Sequence, residues 1–442
     1  MGSVSPTLSI AIIGGGIAGL SLGAALLKKQ HIDVHIYESV PAHKDVGAGL
    51  ALHRNAIKAM ALLGPKVHQA YLDKAIDITS DDADEEMATE VILAQGPHAG
   101  KKVAELGRAK GRKSVSRADL LAGLLELIPS NKISFGKKLA SITPPSSEQD
   151  QVSFKFEDGS EAKADCLLGA DGIHSVVRVF LLGEDDPTCR PKNHDQWQIY
   201  RTLVSTEEAK QHIDERFTRT VPILLGPRGH INCIPLNKGT RLSAGVAVRG
   251  AADTEPEGPE KSSASSDKKL DPSLYQDYTS EARAIVELVA KDTSASWSVG
   301  DHDHAHSFVK GRIAMLGDAA HASLPFAGQG AAQALEDAAV LDNLFGRVRQ
   351  TAQIEHALNA YDAVRRPRSQ AVVDMARKFG RVYSFSERTI HEDPEKMKDF
   401  FRTAGHFTND FDLMKQNEAA VAKMEGSVRG RSAGGSNANG GE

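Results

Sequence analysis

Seven residues near the start of the chain have the types and spacing to hold a dinucleotide: Gly14-Gly15-Gly16-Ile17-Ala18-Gly19, then Glu38. In G-x-G-x-x-G each glycine has its own task. Gly14 makes the turn, Gly16 lets the backbone approach a pyrophosphate, and Gly19 lets a helix pack close to a strand. A helix that starts at Ile17 and Ala18 aims its first N–H groups at phosphate charge. Glu38, with Ser39 beside it, stands where a carboxylate accepts from both hydroxyls of a ribose.

The motif gains its meaning from the elements around it. An apolar run over 8–13 reads as a buried strand, a helix through Leu20, Ala24 and Leu27 follows, and 34–37 reads as a second strand ending at Glu38. Gly47-Ala48-Gly49 leads into a helix over 55–63. The acidic stretch 79–90 reads as an exposed connection with a solvated face. Ser116-Arg117-Ala118-Asp119 resembles a capping box and opens a helix that Pro129 stops, with Leu120, Leu121, Leu124 and Leu127 on one side. Alternation predicts strands over 152–156 and 161–168, joined at the hairpin signal Asp158-Gly159.

From 197 to 249 the pattern is β-rich, and 255–271 reads as a mobile surface loop. Gly311-Arg312 introduces a buried strand over 313–316 that ends at Gly317-Asp318. Helices dominate afterwards, broken or kinked at Pro367, and the Gly/Ser/Asn-rich stretch 426–442 reads as disordered.

At 442 residues the chain can bury a large core and is expected to form two domains. Its 53 basic and 58 acidic residues leave a formal charge of −5, which argues against a nucleic acid or an anionic membrane as partner. Cys166, Cys189 and Cys233 are too few and too far apart for a disulfide framework or a metal set, so a reducing, cytoplasmic setting is expected. No apolar run reaches the ~20 residues of a membrane span, and the strand over 8–13 starts too early to leave room for a signal peptide.

Three motifs in order resemble the class A flavoprotein monooxygenases, the single-component aromatic hydroxylases. The first is the glycine motif with Glu38. The second, Gly169-Ala170-Asp171-Gly172 through Ser175 to Arg178, is similar to that family's G-A-D-G-x-x-S-x-x-R. The third is Gly317-Asp318-Ala319-Ala320-His321, then Pro325, Gly328-Gln329-Gly330 and Glu336-Asp337-Ala338. Gly49, Arg117 and the run from Tyr361 to Arg368 fit the same pattern, and fungal salicylate-hydroxylase-type enzymes are the nearest type.

The resemblance implies an α/β fold: a Rossmann-like FAD-binding domain interleaved with a β-rich substrate domain, plus C-terminal helices. The FAD-binding part would comprise 1–75, 105–182 and 300–385, the substrate domain 76–104 and 183–299, and the C-terminal helical region 386–425. It implies FAD as cofactor, NADH or NADPH as a transient reductant, O₂ and a small aromatic molecule as partners, and a monomer or homodimer. Asp318 would hold the ribityl hydroxyls, and Arg117 the pyrophosphate or ribose. The N–H groups around Gly328, Gly330 and Ala331, after Pro325, would face the N1–C2=O edge of the flavin. Asp171 with Gly172 would serve FAD and the passing nicotinamide. Reduced flavin would capture O₂ as a C4a-hydroperoxide, whose distal oxygen attacks an electron-rich ring such as a phenolate.

Arg201, in Gln198-Ile199-Tyr200-Arg201-Thr202-Leu203, is similar to the family's aromatic-Arg strand on the substrate side of the flavin. It is either the partner of a substrate carboxylate or phenolate, or a surface strand arginine paired with an acid. Tyr200, Leu324 and Phe326 would supply ring-packing surface or plain core. His53 is either a base or a residue packed on the flavin. Where relatives carry His after the proline, Phe326 stands here, and Ile234 replaces an aromatic before Pro235. The base is therefore unassigned.

His302, His304 and His306 would share one face of a strand, but no fourth ligand accompanies them, so a polar strand is expected rather than a metal site. His321 would pack near the cofactor. Two other functions stay open: a tailoring enzyme that epoxidises or dearomatises its substrate, or a flavin-binding redox protein without turnover. The W-x-W-x-I-P run of flavin-dependent halogenases is absent, Trp197 and Trp297 standing alone.

Overall fold

The computed structural model describes residues 7–41, 49–77, 87–109, 113–237, 239–250, 269–292 and 295–434. Its first strand, Leu8–Ile13, hydrogen-bonds in parallel to Ile32–Tyr37 on one side and to Cys166–Gly169 on the other. Ile313–Met315 adds a further parallel strand beside Cys166–Gly169. With Val309–Lys310 and Ile133–Ser134 at the edges, these strands form a six-stranded sheet. Strands covered on both faces carry continuous apolar runs, which is what 8–13, 166–168 and 313–316 show. Helix Ile17–Leu26 is buried at every one of its residues, because it lies between this sheet and helix Gly330–Phe345.

The expected strand over 161–168 is two strands. Glu161–Ala164 closes an antiparallel hairpin with Val152–Phe156, while Cys166–Gly169 joins the six-stranded sheet. Asp165 makes the switch: its carboxylate accepts from Ser9 N and Ser9 Oγ, both at 2.8 Å, and so pins the crossing to the first strand. Ser116 caps helix Arg117–Leu125, its Oγ accepting from Asp119 N at 2.9 Å. Helix Arg54–Leu63 matches the expected 55–63.

A seven-stranded sheet runs in the order Ala295–Ser298, Gln198–Ser205, Arg241–Val248, Gly229–Leu236, Ile223–Gly226, Met87–Leu93, Lys102–Ala109. The expectation of an exposed connection over 79–90 is corrected at its end. Met87–Leu93 is a strand in which Thr89 is buried, since it lies between two paired strands; residues 79–86 lie outside the described set. The boundary expected at 104/105 falls inside Lys102–Ala109. Tyr200, Ile231, Cys233, Ala244 and Val246 on one face of this sheet pack with Ile285, Val286 and Val289 of helix Ser280–Ala290. The alternate residues therefore face the other way, toward the six-stranded sheet and its loops.

Helix Ile354–Tyr383 continues through Pro367 and is not broken there. Arg365 and Arg368, on either side of the proline, are both held by Glu336, which keeps the two halves in one register. The C-terminal helix Leu413–Gly434 extends past 426, which corrects the expected start of a disordered tail; 435–442 lie outside the described residues. So do Gly47, Ala48 and residues 255–268 of the expected loop. Among the described residues no helix is long and apolar enough to cross a membrane.

Candidate active site

Parallel pairing places the carboxyl ends of four adjacent strands along one edge of the six-stranded sheet. Each motif follows one of those ends: Gly14–Gly19 after Leu8–Ile13, Glu38 after Ile32–Tyr37, Ala170–Gly172 after Cys166–Gly169, and Gly317-Asp318 after Ile313–Met315. Three segments distant in sequence thus converge at the edge where open α/β sheets bind ligands.

The glycines divide by what surrounds them. Gly14 has φ +109°, and a Cβ there would sit 2.2 Å from the Ala170 carbonyl oxygen. A Cβ on Gly19 would sit 2.0 Å from the Gly14 carbonyl oxygen. Both are committed to backbone packing. Around Gly16, Gly172 and Gly330, no atom lies within 4 Å of an added Cβ, and all three line one cavity of about 380 Å³. Ile17, Ala18, Gly49, His53 and Arg117 border the same space. So do Asp318, which opens the helical turn Asp318–His321, Pro325, and Gly328 and Ala331 at the N-terminal end of helix Gly330–Phe345.

Glu38 is buried beside the glycine turn. Its Oε2 accepts from Gly15 N at 2.5 Å, and its Oε1 from Val40 N at 2.8 Å and Ser39 Oγ at 3.0 Å. Asp171 behaves differently from the expectation. Its carboxylate accepts from Val176 N at 2.8 Å, Val177 N at 3.1 Å and Ser175 Oγ at 2.6 Å, so it caps helix Val176–Leu182. Burial raises its carboxyl above the usual range against the pull of those donors. Gly172, not the Asp171 side chain, reaches the cavity. Arg178 from the same motif is fully buried and donates to four carbonyls, those of Thr188, Asp303, Ala319 and Ala320. It thereby ties the second motif to the helical turn Asp318–His321.

The far end of the cavity is walled by the seven-stranded sheet. Ile199 and Arg201 face it, whereas Tyr200 between them points into the core against helix Ser280–Ala290, as strand alternation requires. Arg201 Nε and Nη1 are sealed from solvent and have no hydrogen-bond partner. Among the described residues no carboxylate pairs with this guanidinium, so it is not the surface arginine of the alternative reading. Burial lowers it to about 10, which leaves it charged at neutral pH. Its nearest compensation is the Trp297 ring, 5.7 Å away. Phe326 packs at 4.4 Å from Trp197 and 4.9 Å from His230, and lines the cavity; Leu324 stays in the core.

Three residues that sequence reasoning missed also line the cavity, His230, Asn232 and Tyr383, and Gln329 of the third motif joins them. His230 is driven to about 3 by burial and by Arg201, so it is neutral at physiological pH, and its Nδ1 has no partner. Tyr383 Oη is buried without a partner, 4.9 Å separating its ring from that of His230. Only the i, i+2 spacing of His230, Asn232 and Ile234 hinted at a shared face. Tyr383 comes from the end of a distant helix and left no local signal.

The three histidines after Asp301 do not converge and do not form a strand. His302 Nε2 lies 2.9 Å from Ile173 O, His304 Nε2 3.0 Å from Asp374, and His306 Nδ1 3.6 Å from Asp186. His321 is likewise a structural residue, its Nε2 2.6 Å from Asp337 Oδ2.

An open glycine face, a helix N-terminus and carboxylates at the same sheet edge fit FAD. The family model described as FAD binding domain matches residues 7–376. The chain is a member of the FAD-dependent monooxygenases. This monooxygenase is 35% identical to a 6-methylsalicylate 1-monooxygenase of Aspergillus terreus, over 94% of its own length and 92% of the relative's. It is 31% identical to a salicylate hydroxylase of Pseudomonas putida, over 91% and 92% of the two chains. A solved structure titled salicylate hydroxylase substrate complex superposes with a TM-score of 0.79 at 27% identity, over 95% of this monooxygenase and 98% of that chain.

Proposed function

We propose that this monooxygenase hydroxylates a phenolic aromatic acid of the salicylate type, with NADH or NADPH as reductant. The observation that carries the reading is Arg201: a half-buried, charged guanidinium whose Nε and Nη1 are sealed from solvent, unpaired and facing the cavity. A buried cation without a partner is costly, and a planar two-oxygen anion satisfies the arginine fork better than any other small group.

Bound FAD would pass two electrons from NAD(P)H to O₂ and activate it, so that one oxygen atom of O₂ goes to the substrate and the other leaves as water. The protein's residues do the rest. Arg201 binds the acid and stabilises negative charge on the ring substituents. A neighbouring cation lowers a phenol's pKa by about 1–3 units, from its ordinary value near 10. Ile199, Ile223, Phe326 and Tyr383 enclose the ring and exclude water. His230, neutral and beside a cation, serves as a hydrogen-bond partner; a proton moved onto it would meet the Arg201 charge. Where the attacked carbon carries the carboxylate, hydroxylation releases CO₂. The relatives named for salicylate and 6-methylsalicylate support this substrate class.

The test is a panel of salicylate, 6-methylsalicylate, benzoate and unsubstituted phenol, followed by NAD(P)H oxidation, O₂ uptake and product mass. Stimulation by the ortho-hydroxy acids, with a product that has gained one oxygen or lost the elements of CO, is expected. Equal or better turnover of phenol without a carboxylate would remove Arg201 from the explanation.

A further inference from the structure

Three strands of the seven-stranded sheet present their cavity faces in register. Arg201 lies opposite Gly245, and Gly245 opposite Asn232. One row along, Ile199 lies opposite Ala247, and Ala247 opposite His230. All six line the cavity. The middle strand, Arg241–Val248, is therefore nearly bare where its neighbours carry long side chains. Strands spaced about 4.8 Å apart leave a trough with Arg201 on one bank and Asn232 and His230 on the other.

Gly245 is a tight point of the floor. A Cβ there would stand 2.8 Å from Asn232 Oδ1 and 3.7 Å from Arg201 Nε. The two polar groups lean over the same glycine from opposite sides. Glycine inside a strand costs stability and marks a close approach, and here the approaching groups are the side chains that face the ligand space.

We propose that Gly245 is a specificity-determining residue, whose missing side chain lets Arg201 and Asn232 grip one edge of a flat aromatic acid lying in the trough. This rests on the proposed aromatic-acid substrate. The carboxylate accepts from Arg201, and the adjacent hydroxyl meets the Asn232 carboxamide. Ala247 continues the floor under the ring. A methyl at 245 would displace Asn232, the end of a movable side chain and not backbone, so the change acts on the ligand space and leaves the fold intact.

The experiment uses the FAD-loaded protein and follows salicylate binding by the perturbation of flavin absorbance, with melting temperature and FAD content as controls. Gly245→Ala is expected to raise the salicylate Kd at least ~10-fold at unchanged FAD content. Asn232→Ala added to Gly245→Ala removes the clashing group and is expected to make the effect of Gly245→Ala much smaller than in the native background. Ala247→Val carries the same test, with the same expected loss, should Gly245→Ala not accumulate as folded protein. Wild-type affinity in Gly245→Ala, or in Ala247→Val where that stands in, would overturn the role of the bare strand. If Arg201→Ala still weakens binding in that case, the aromatic-acid reading survives alone. If Arg201→Ala also binds salicylate normally, or wild type does not bind it, both fall together.

Discussion

Arg365 Nε lies 2.7 Å from Asp337 Oδ1, and both side chains are fully buried. The same guanidinium reaches Glu336 Oε2 through Nη1 at 2.6 Å. The other oxygen of Asp337 accepts from Gly317 N at 2.8 Å, next to the cavity residue Asp318. Burial alone would raise the Asp337 carboxyl, but His321 and Arg365 hold it down to about 2. Glu336 Oε1 accepts from Asn55 Nδ2 at 2.9 Å, and Asn55 Nδ2 also reaches Gln329 Oε1 at 2.8 Å. One arginine thus braces both loops that border the cofactor space.

Replacing Arg365 by Met removes the cation that Asp337 and Glu336 share, leaving Glu336 to Arg368 at 3.5 Å and Asp337 to His321 at 2.6 Å. Breaking a buried pair in this way costs about 3–5 kcal/mol. The expected outcome is a lower melting temperature together with faster release of FAD, read by flavin fluorescence. A stable variant that keeps its FAD would show that the brace is dispensable.

The glycine motif separates into folding and binding positions. Gly14→Ala forces a Cβ against the Ala170 carbonyl at 2.2 Å, backbone against backbone, and is expected to abolish soluble folded protein. Gly16→Val meets no protein atom within 4 Å at its Cβ, so the apoprotein should melt as wild type does while FAD affinity falls at least ~10-fold. Equal FAD binding by Gly16→Val would move the pyrophosphate elsewhere.

Arg201→Ala removes a charged donor pair, an interaction of about 1.5–3 kcal/mol. The expected result is a rise of ~10–100-fold in the KM for salicylate with FAD content unchanged. Arg201→Lys should recover only part of the loss, because an ammonium cannot offer the two-donor fork. Steady-state kinetics on the three proteins checks both statements.

His230 and His302 are both buried and held at about 3, well below the ordinary 6.5. Burial is the main cause at each, with Arg201 adding to it at His230 and Arg178 at His302. Below pH 6.5 the unfolded chain takes up these protons while the folded chain does not. The stability they contribute is complete above pH 6.5 and declines toward pH 3, by about 1.4 kcal/mol per pH unit for each histidine. His302→Gln should therefore show a smaller fall in melting temperature between pH 7 and pH 5 than the parent protein. Parallel curves would mean that His302 is protonated in the folded state.

The cofactor side was legible because it is built from backbone. Glycines, a strand end and a helix start leave local patterns; Gly16, which the spacing pointed to, and Arg117, Asp318 and Gly330, which the family resemblance implied, all border the cavity. At Asp171 the motif was visible, but that its carboxylate turns to the amides of Val176 and Val177 depended on a local turn.

The chain's own order of residues determined the dinucleotide turn, the parallel strands behind it, and the identity of Arg201 as a strand cation. Which face of its strand Arg201 took, and that Gly245 and Asn232 would stand beside it, came only with folding. Register sets Gly245 opposite Arg201, 44 residues away, and opposite Asn232 on the other side, and register follows from which side of the sheet helix Ser280–Ala290 buries. Tyr383 reaches the same cavity because Arg365 holds its helix through Pro367 against Glu336 and Asp337. Local propensity acts over a few residues, whereas this site is closed by packing between segments that meet only in three dimensions.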